Sequence, residues 1–216
     1  YFIVGSVASA VGIYGMSLLY LWSGDLSLDA LAVKWSESSS IDPLAGIAVG
    51  LMLVAFGFKV GAAPFHLAAP DAYSGASSPV AGLLATASKA MGFVALMRIL
   101  VSVTMPTEGE AFWYITIAVI AVVTMTWGNL AALTSTNPKR MLAYSSVSHA
   151  GYMLAGLAAI GSGLGSEEAI ELVLTAIVFH LAVLVIFKFG AFLVLSLLET
   201  EERGHKLEDL HGLARR

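Results

Sequence analysis

LMLVAFGFKVGAAPF, residues 51–65, places a lysine and a helix break inside one apolar run. Gly61 and Pro64 interrupt a stretch, 44–74, that is too long for a single crossing, so a broken helix is predicted there. Proline lacks a backbone donor and its ring clashes with the preceding turn. Backbone groups freed at membrane depth are tolerated only where protein or a watery cavity satisfies them. Lys59 stands about one turn ahead of the break, a setting used for ion sites in transporters. The bland alternative is a plain proline kink with a snorkelling lysine.

Two more lysines lie in similar surroundings: Lys89 in GLLATASKAMGFVAL (82–96) and Lys188 in LAVLVIFKFGAFLVL (181–195). A charged side chain at the bilayer centre costs roughly 2.5–3.5 kcal/mol on insertion scales, so each is a functional candidate. Desolvation disfavours an ammonium, which brings buried lysines towards titration near neutral pH. A row of such lysines reads as a set of proton stations.

Composition fixes the class. Hydrophobic residues make up 58% of the 216 and charged residues 12%, about half the share usual in soluble domains. Mean hydropathy is +0.84. The chain is predicted to be an all-α membrane protein with about six transmembrane helices, at roughly 1–22, 44–74, 79–104, 111–134, 139–160 and 169–198, placed with a window of the 20 or so apolar residues a crossing needs. The absence of cysteine excludes disulfides and thiolate-held metals or iron–sulfur clusters. A net charge of −4 without a basic stripe argues against nucleic acid. No phosphate-binding glycine loop, haem ligand pair or carboxylate-rich metal cluster is present, so no cofactor or metal site is expected in this chain.

Loop charges orient the spans. Loops 23–43, 105–110 and 161–168 carry Asp25, Asp29, Glu37, Asp42, Glu108, Glu110, Glu167 and Glu168 against Lys34 alone. The opposite side holds Lys139, Arg140, Arg203, Lys206, Arg215 and Arg216. The positive-inside rule puts loop 135–140 and the C-terminal tail in the cytoplasm. Arg98, near the outer end of its span, can snorkel.

Polar residues within the spans are weighed singly. Ser145, His149 and Tyr152 fall on one helix face. His149 suits a proton relay between lysines, and equally a hydrogen bond to a neighbouring helix. His180 precedes Lys188 by eight residues, about 12 Å of helix rise, so the two suit successive stations. His66 is expected near the cytoplasmic mouth, and Asp71 reads as a cap or loop carboxylate beside a turn at Pro70 and Gly75. The pairs Gly46/Gly50, Gly57/Gly61 and Gly161/Gly165 are read as close helix packing. The stretch 74–78 is a short connection.

Residues 57–100, GFKVGAAPFHLAAPDAYSGASSPVAGLLATASKAMGFVALMRIL, resemble the antiporter-like membrane subunits of respiratory complex I, the branch called subunit N in particular. GNLAALTSTNPKRMLAYSSVSHAGYMLAGLAA (128–159) and the ending LEDLHGLARR are similar to the same family, and the opening YFIVGSVASAVGIYGMSLLY also fits. The resemblance implies a proton-translocating subunit of an NAD(P)H- or related quinone oxidoreductase in a prokaryotic cell membrane. NADH, flavin, iron–sulfur clusters and quinone would belong to partner subunits. It implies that Lys59 is the central protonatable residue, that Lys89 passes the proton onward with His149, and that Lys188 is a further station. Family members have about fourteen helices built on two inverted repeats. Residues 1–216 would then form one antiporter-like transmembrane domain within a longer chain, without the family's glutamate that pairs with the broken-helix lysine. One departure stands out: subunit N usually has an uncharged residue where this chain has Lys188. His180 followed by Lys188 is reminiscent of the related multi-component sodium/proton (Mrp-type) antiporters, the alternative assignment. A purely structural scaffold is the third.

Overall fold

The computed structural model describes residues 1–38, 41–104, 111–162, 165–202, 204 and 206–213. Its helices are α1 (Phe2–Ser23), α2 (Leu28–Glu37), α3 (Pro43–Val60), α4 (Ala68–Gly75), α5 (Ser78–Leu83), α6 (Lys89–Ile99), α7 (Ala111–Leu133), α8 (Pro138–Gly161) and α9 (Glu167–Thr200). A π turn at Leu84–Ser88 joins α5 to α6, and a second at Leu100–Thr104 follows α6. No strand occurs among the described residues. Glu108, Glu110, Arg203, Arg215 and Arg216, which enter the charge count above, lie outside the described residues.

Among the described residues, five helical segments are long and apolar enough to cross a membrane: Phe2–Ser23, Pro43–Gly75, Ser78–Val103, Trp113–Leu133 and Glu167–Thr200. The sixth predicted span is α8, whose 24 residues reach about 36 Å. It falls short on apolarity rather than length, because more than half of it is buried among the other helices. A helix wrapped by protein has no need of a lipid-facing surface.

Four helices, α2, α3, α8 and α9, begin where the sequence supplies a capping side chain. Asp42 Oδ1 accepts from the Leu44 amide at 2.8 Å with Pro43 in the first turn of α3. Asn137 Oδ1 accepts from the Arg140 amide at 3.1 Å, again ahead of a proline. Ser166 Oγ accepts from the Ala169 amide at 3.3 Å, and Glu167 and Glu168 occupy the first turn of α9, where negative charge suits the helix dipole.

The break falls where it is predicted. Gly61 adopts φ 77°, which only glycine takes freely, and the Ala62 amide closes back on Gly57 O at 2.8 Å in a Schellman-type ending. A cis bond joins Ala63 to Pro64, a short 3-10 turn spans Phe65–Leu67, and α4 completes the crossing. The Ala63 amide, which has no place in either half-helix, donates to Thr124 Oγ1 on α7 at 2.9 Å. That hydroxyl in turn donates to Ile120 O at 2.5 Å.

Two features depart from the sequence expectations. The loop 23–43 contains α2, an amphipathic helix whose Leu31 and Trp35 pack on Leu19, Val49, Met52 and Val103. Ahead of it the Ser27 amide donates to Asp25 Oδ1 at 2.9 Å, which holds this exposed carboxyl below its usual range. Of the expected pairs Gly57 and Gly61 do meet close neighbours, Phe65 and Lys89, but further close helix contacts fall at glycines outside those pairs. A Cβ on Gly12 would lie 2.5 Å from Ala55 Cβ, one on Gly128 2.6 Å from Ser148 N, and one on Gly151 2.8 Å from Met125 N. Gly46 meets only Ile41, Gly50 faces open space, and Gly165 touches only its own helix's start. Spacing of four marks where small residues recur, not which face meets a neighbour.

Thr124→Val in the full-length protein is expected to lower stability by about 1–3 kcal/mol, the penalty for leaving a buried amide unpaired. Thr124→Ser is expected to remain close to the parent, as measured by thermal unfolding in detergent.

Candidate functional site

The break makes room for a lysine. Lys89 follows directly on the π turn Leu84–Ser88, a distortion frequent at functional sites. Thr86 within that turn donates to Gly82 O at 2.7 Å. The Lys89 side chain is 5% exposed, and its Nζ has no hydrogen-bond partner among the described residues. It reaches over the broken segment: Nζ lies 6.0 Å from the Tyr73 ring centre and 3.0 Å from where a Gly61 Cβ would stand. That missing Cβ is also within 4.0 Å of Val147 on α8. An ammonium without partners in such a place is costly, and the neutral amine far less so.

Lys59 is different. The expectation of three buried lysines fails here, for Lys59 is exposed. The buried stripe of α3 runs through Ala45, Ala48, Val49, Met52 and Val60, and Lys59 is one position off it. Its stem lies against α6, where a Cβ on Gly92 would come 2.6 Å from Lys59 Cγ. Lys59 and Lys89 therefore both lie beside the break, the first exposed and the second buried.

The third lysine is enclosed. Lys188 is 0% exposed and donates to Leu142 O on α8 at 3.2 Å. Eight residues earlier on α9, His180 Nε2 meets His149 Nδ1 at 3.1 Å. His149 also packs edge-on against Tyr152 at 5.4 Å, and Asn129 Nδ2 donates to the Tyr152 hydroxyl at 3.0 Å. Of the two readings of His149, the hydrogen bond to a neighbouring helix is present, and the partner is a second histidine. The sequence names both histidines without pairing them.

Residues 142 to 149 of α8 collect these groups. Lys188 reaches Leu142, Lys89 shares the Gly61 notch with Val147, and His180 meets His149. That is a segment of about 10 Å. His66, just beyond the break, is 3% exposed, with neither ring nitrogen partnered among the described residues and Trp127 at 6.0 Å.

At the end of the bundle opposite α2, charges pair. Lys139 Nζ lies 2.7 Å from Glu199 Oε1 and donates to Ala76 O at 2.9 Å, and Ser78 N donates to Glu199 Oε2 at 3.4 Å. Arg140 pairs with Asp71 at 2.8 Å. Asp71 is indeed outside the buried interior, but as an ion-pair partner in the first turn of α4 rather than a cap. Leu207 N donates to Thr136 O at 3.0 Å, so the C-terminal tail and the α7–α8 connection lie on one side. No group of three metal-ligating side chains is found among the described residues.

The whole chain, residues 1–216, matches the family described as NADH:quinone oxidoreductase/Mrp antiporter, TM. The chain belongs to this family. NADH-quinone oxidoreductase subunit N of Salinibacter ruber is 41% identical over 99% of the chain and 41% of its own length. That of Heliobacterium modesticaldum is 41% identical over 100% of the chain and 43% of its own. The chain thus spans about two-fifths of the relatives it matches. Among solved structures, Thermus thermophilus respiratory complex I aligns over 91% of this chain and 39% of its own, at 36% identity and TM-score 0.70. The Mrp complex of a Dietzia species aligns over 92% and 34%, at 27% identity and TM-score 0.78. Family membership accounts for an all-helical membrane bundle whose relatives work inside multi-subunit membrane complexes.

If His149 and His180 interact as the geometry has them, His149→Phe and His180→Phe in the full-length protein should not add. A double-mutant cycle on thermal unfolding is expected to give a coupling of at least about 0.5 kcal/mol. Strict additivity would show that the contact contributes nothing.

Proposed function

We propose that the chain translocates protons across the membrane as part of a non-redox pumping subunit of an NAD(P)H (or related donor):quinone oxidoreductase. The observation that supports this most is the gathering of Lys89, Lys188, His149 and His180, from three helices, around residues 142–149 of α8. A scaffold has no need of two enclosed lysines with so large an insertion cost. In this reading electrons pass elsewhere, through NADH, flavin, iron–sulfur clusters and quinone held by other subunits of a complex I-like assembly. This chain performs no covalent chemistry.

A change in those partners alters the surroundings of Lys59. Its exposure beside the break leaves it open to a counter-charge from another segment, and moving such a charge switches an amine between its two forms. Lys89, buried beside the same break, takes the proton onward, the His149–His180 pair with bridging water continues the relay, and Lys188 serves as a station towards one aqueous side. Loop 135–140 and the tail are assigned to the cytoplasm of a prokaryotic cell by their basic residues. The longer chain implied by the family, of about fourteen helices, is the unit expected to pump.

The Mrp-type antiporter is the second reading, favoured by Lys188 eight residues after His180. Identity to the named subunits N is the higher, at 41% against 27% for the Mrp structure.

Vesicles carrying the complete complex separate the two. Proton uptake driven by NADH is expected, with Lys59→Ala or Lys89→Ala in the full-length protein losing most of it while assembly persists. Normal pumping in both variants would sink the proposal, and uptake driven only by an imposed sodium gradient would move the chain to the antiporter class.

A further inference from the structure

Glu199 and Lys188 lie eleven residues apart on α9, just over three turns, so they project from nearly the same face. Lys139 and Leu142 lie three apart on α8, again on one face. The two helices are thus joined twice along one seam: Lys139 to Glu199 at 2.7 Å, and the Leu142 carbonyl to Lys188 at 3.2 Å. Both partners of the first join also reach the turn between α4 and α5, through Ala76 O and Ser78 N. Lys139 is 7% exposed and the Glu199 side chain 22%, so the pair is shielded well enough to hold a geometry, unlike a solvated surface pair. One ion pair therefore fixes three things at once: the start of α8, the end of α9 and the turn that leads into the Lys89 helix.

We propose that Lys139 and Glu199 are positioning residues, which set the rotation of α9 so that Lys188 is held against the Leu142 carbonyl. The pair acts through Lys188 and carries no proton itself. The role in pumping rests on the reading above; the positioning does not.

The rest of the seam agrees with this assignment. On α9 the apolar residues around Lys188 offer no polar alternative: Phe187 and Phe189 flank it and Phe192 is fully buried. The rotation of α9 decides whether its amine meets the Leu142 carbonyl. A small turn of α9 about its axis would move Lys188 from Leu142 O into hydrocarbon, and Glu199, at the far end of the same face, is where such a turn is resisted.

The test uses the full-length protein in its complex. This chain has no cysteine, so Lys188→Cys gives a single thiol here whose alkylation by N-ethylmaleimide is read from the mass of its peptide. Adding Lys139→Ala is expected to speed alkylation at least threefold, and Lys139→Arg, which keeps charge and donors, to leave it near the parent rate. Glu199→Gln, which keeps an acceptor for Ser78 but removes the charge, is expected to act in the direction of Lys139→Ala and serves if that variant fails to assemble. An unchanged rate in both Lys139→Ala and Glu199→Gln overturns the proposal. With Lys188 restored, Lys139→Ala is expected to lower protons moved per NADH oxidised at least twofold. Faster alkylation with normal pumping in both Lys139→Ala and Lys188→Ala would uphold the positioning and overturn the pumping role.

Discussion

The hydrogen bond from the Ala63 amide to the Thr124 hydroxyl holds open the interruption on which the rest of the interior depends. In lipid, an unpaired backbone donor costs several kcal/mol, so a crossing helix is normally continuous. Here the chain stops at Gly61, turns through Ala63 and Pro64 and starts again at Ala68. It can do so because α7 presents a hydroxyl at the right height. The gap leaves space at Gly61 that a side chain would fill, and the Lys89 amine occupies its edge. A continuous α3 would close that notch and leave Lys89 against a helix wall.

Around the break the bundle separates two kinds of helix surface. α1 and α7 present large apolar residues outwards, such as Ile3, Ile13, Val119 and Leu130. The least apolar of the long helices, α8, is the most enclosed: Ser146, Ser148 and Lys139 are buried along it. In water this ordering would be perverse. In a membrane it follows from the solvent, since polar groups are tolerated only where protein surrounds them. The helix that fails a test of apolarity is therefore the one around which the titratable groups gather, and its polarity is a consequence of that position.

The break, the lysine positions and the span limits were legible because each rests on local chemistry: Gly61 and Pro64 punctuate a run, and a lysine in a long apolar stretch stands out. What could not be read is what depends on helix rotation. Lys59 looks as enclosed as Lys89 in sequence, yet one step of 100° takes it off the buried stripe of α3. His149 and His180 are each visible, but their contact across 31 residues is set by how α8 and α9 pack. A better signal was present for Lys139 and Glu199. One starts a span and the other ends the next, so antiparallel neighbours must bring them to the same end. The helix α2 was missed for a different reason: ten residues in a loop fall below the length that a membrane window detects, although Ser27 and Asp29 mark its start.

Lys188 and Lys89 illustrate two ways of keeping an amine inside a membrane. Lys188 has a backbone acceptor at 3.2 Å, and an amine and an ammonium both donate to a carbonyl. It can lose or gain a proton without losing that contact. Lys89 has only an aromatic face and the edge of a glycine notch; its charged form gains from the Tyr73 ring, while its neutral form gains little from it. Lys188 also has a ring beside it, Phe187 at 5.7 Å, so what sets Lys89 apart is an amine with no hydrogen-bond acceptor among the described residues. The groups that can respond by moving are also at Lys89, where the helix is already distorted by a π turn and faces a broken segment. A charge change at Lys188 would be felt by its neighbours as a field; one at Lys89 would be felt as a push on the break itself.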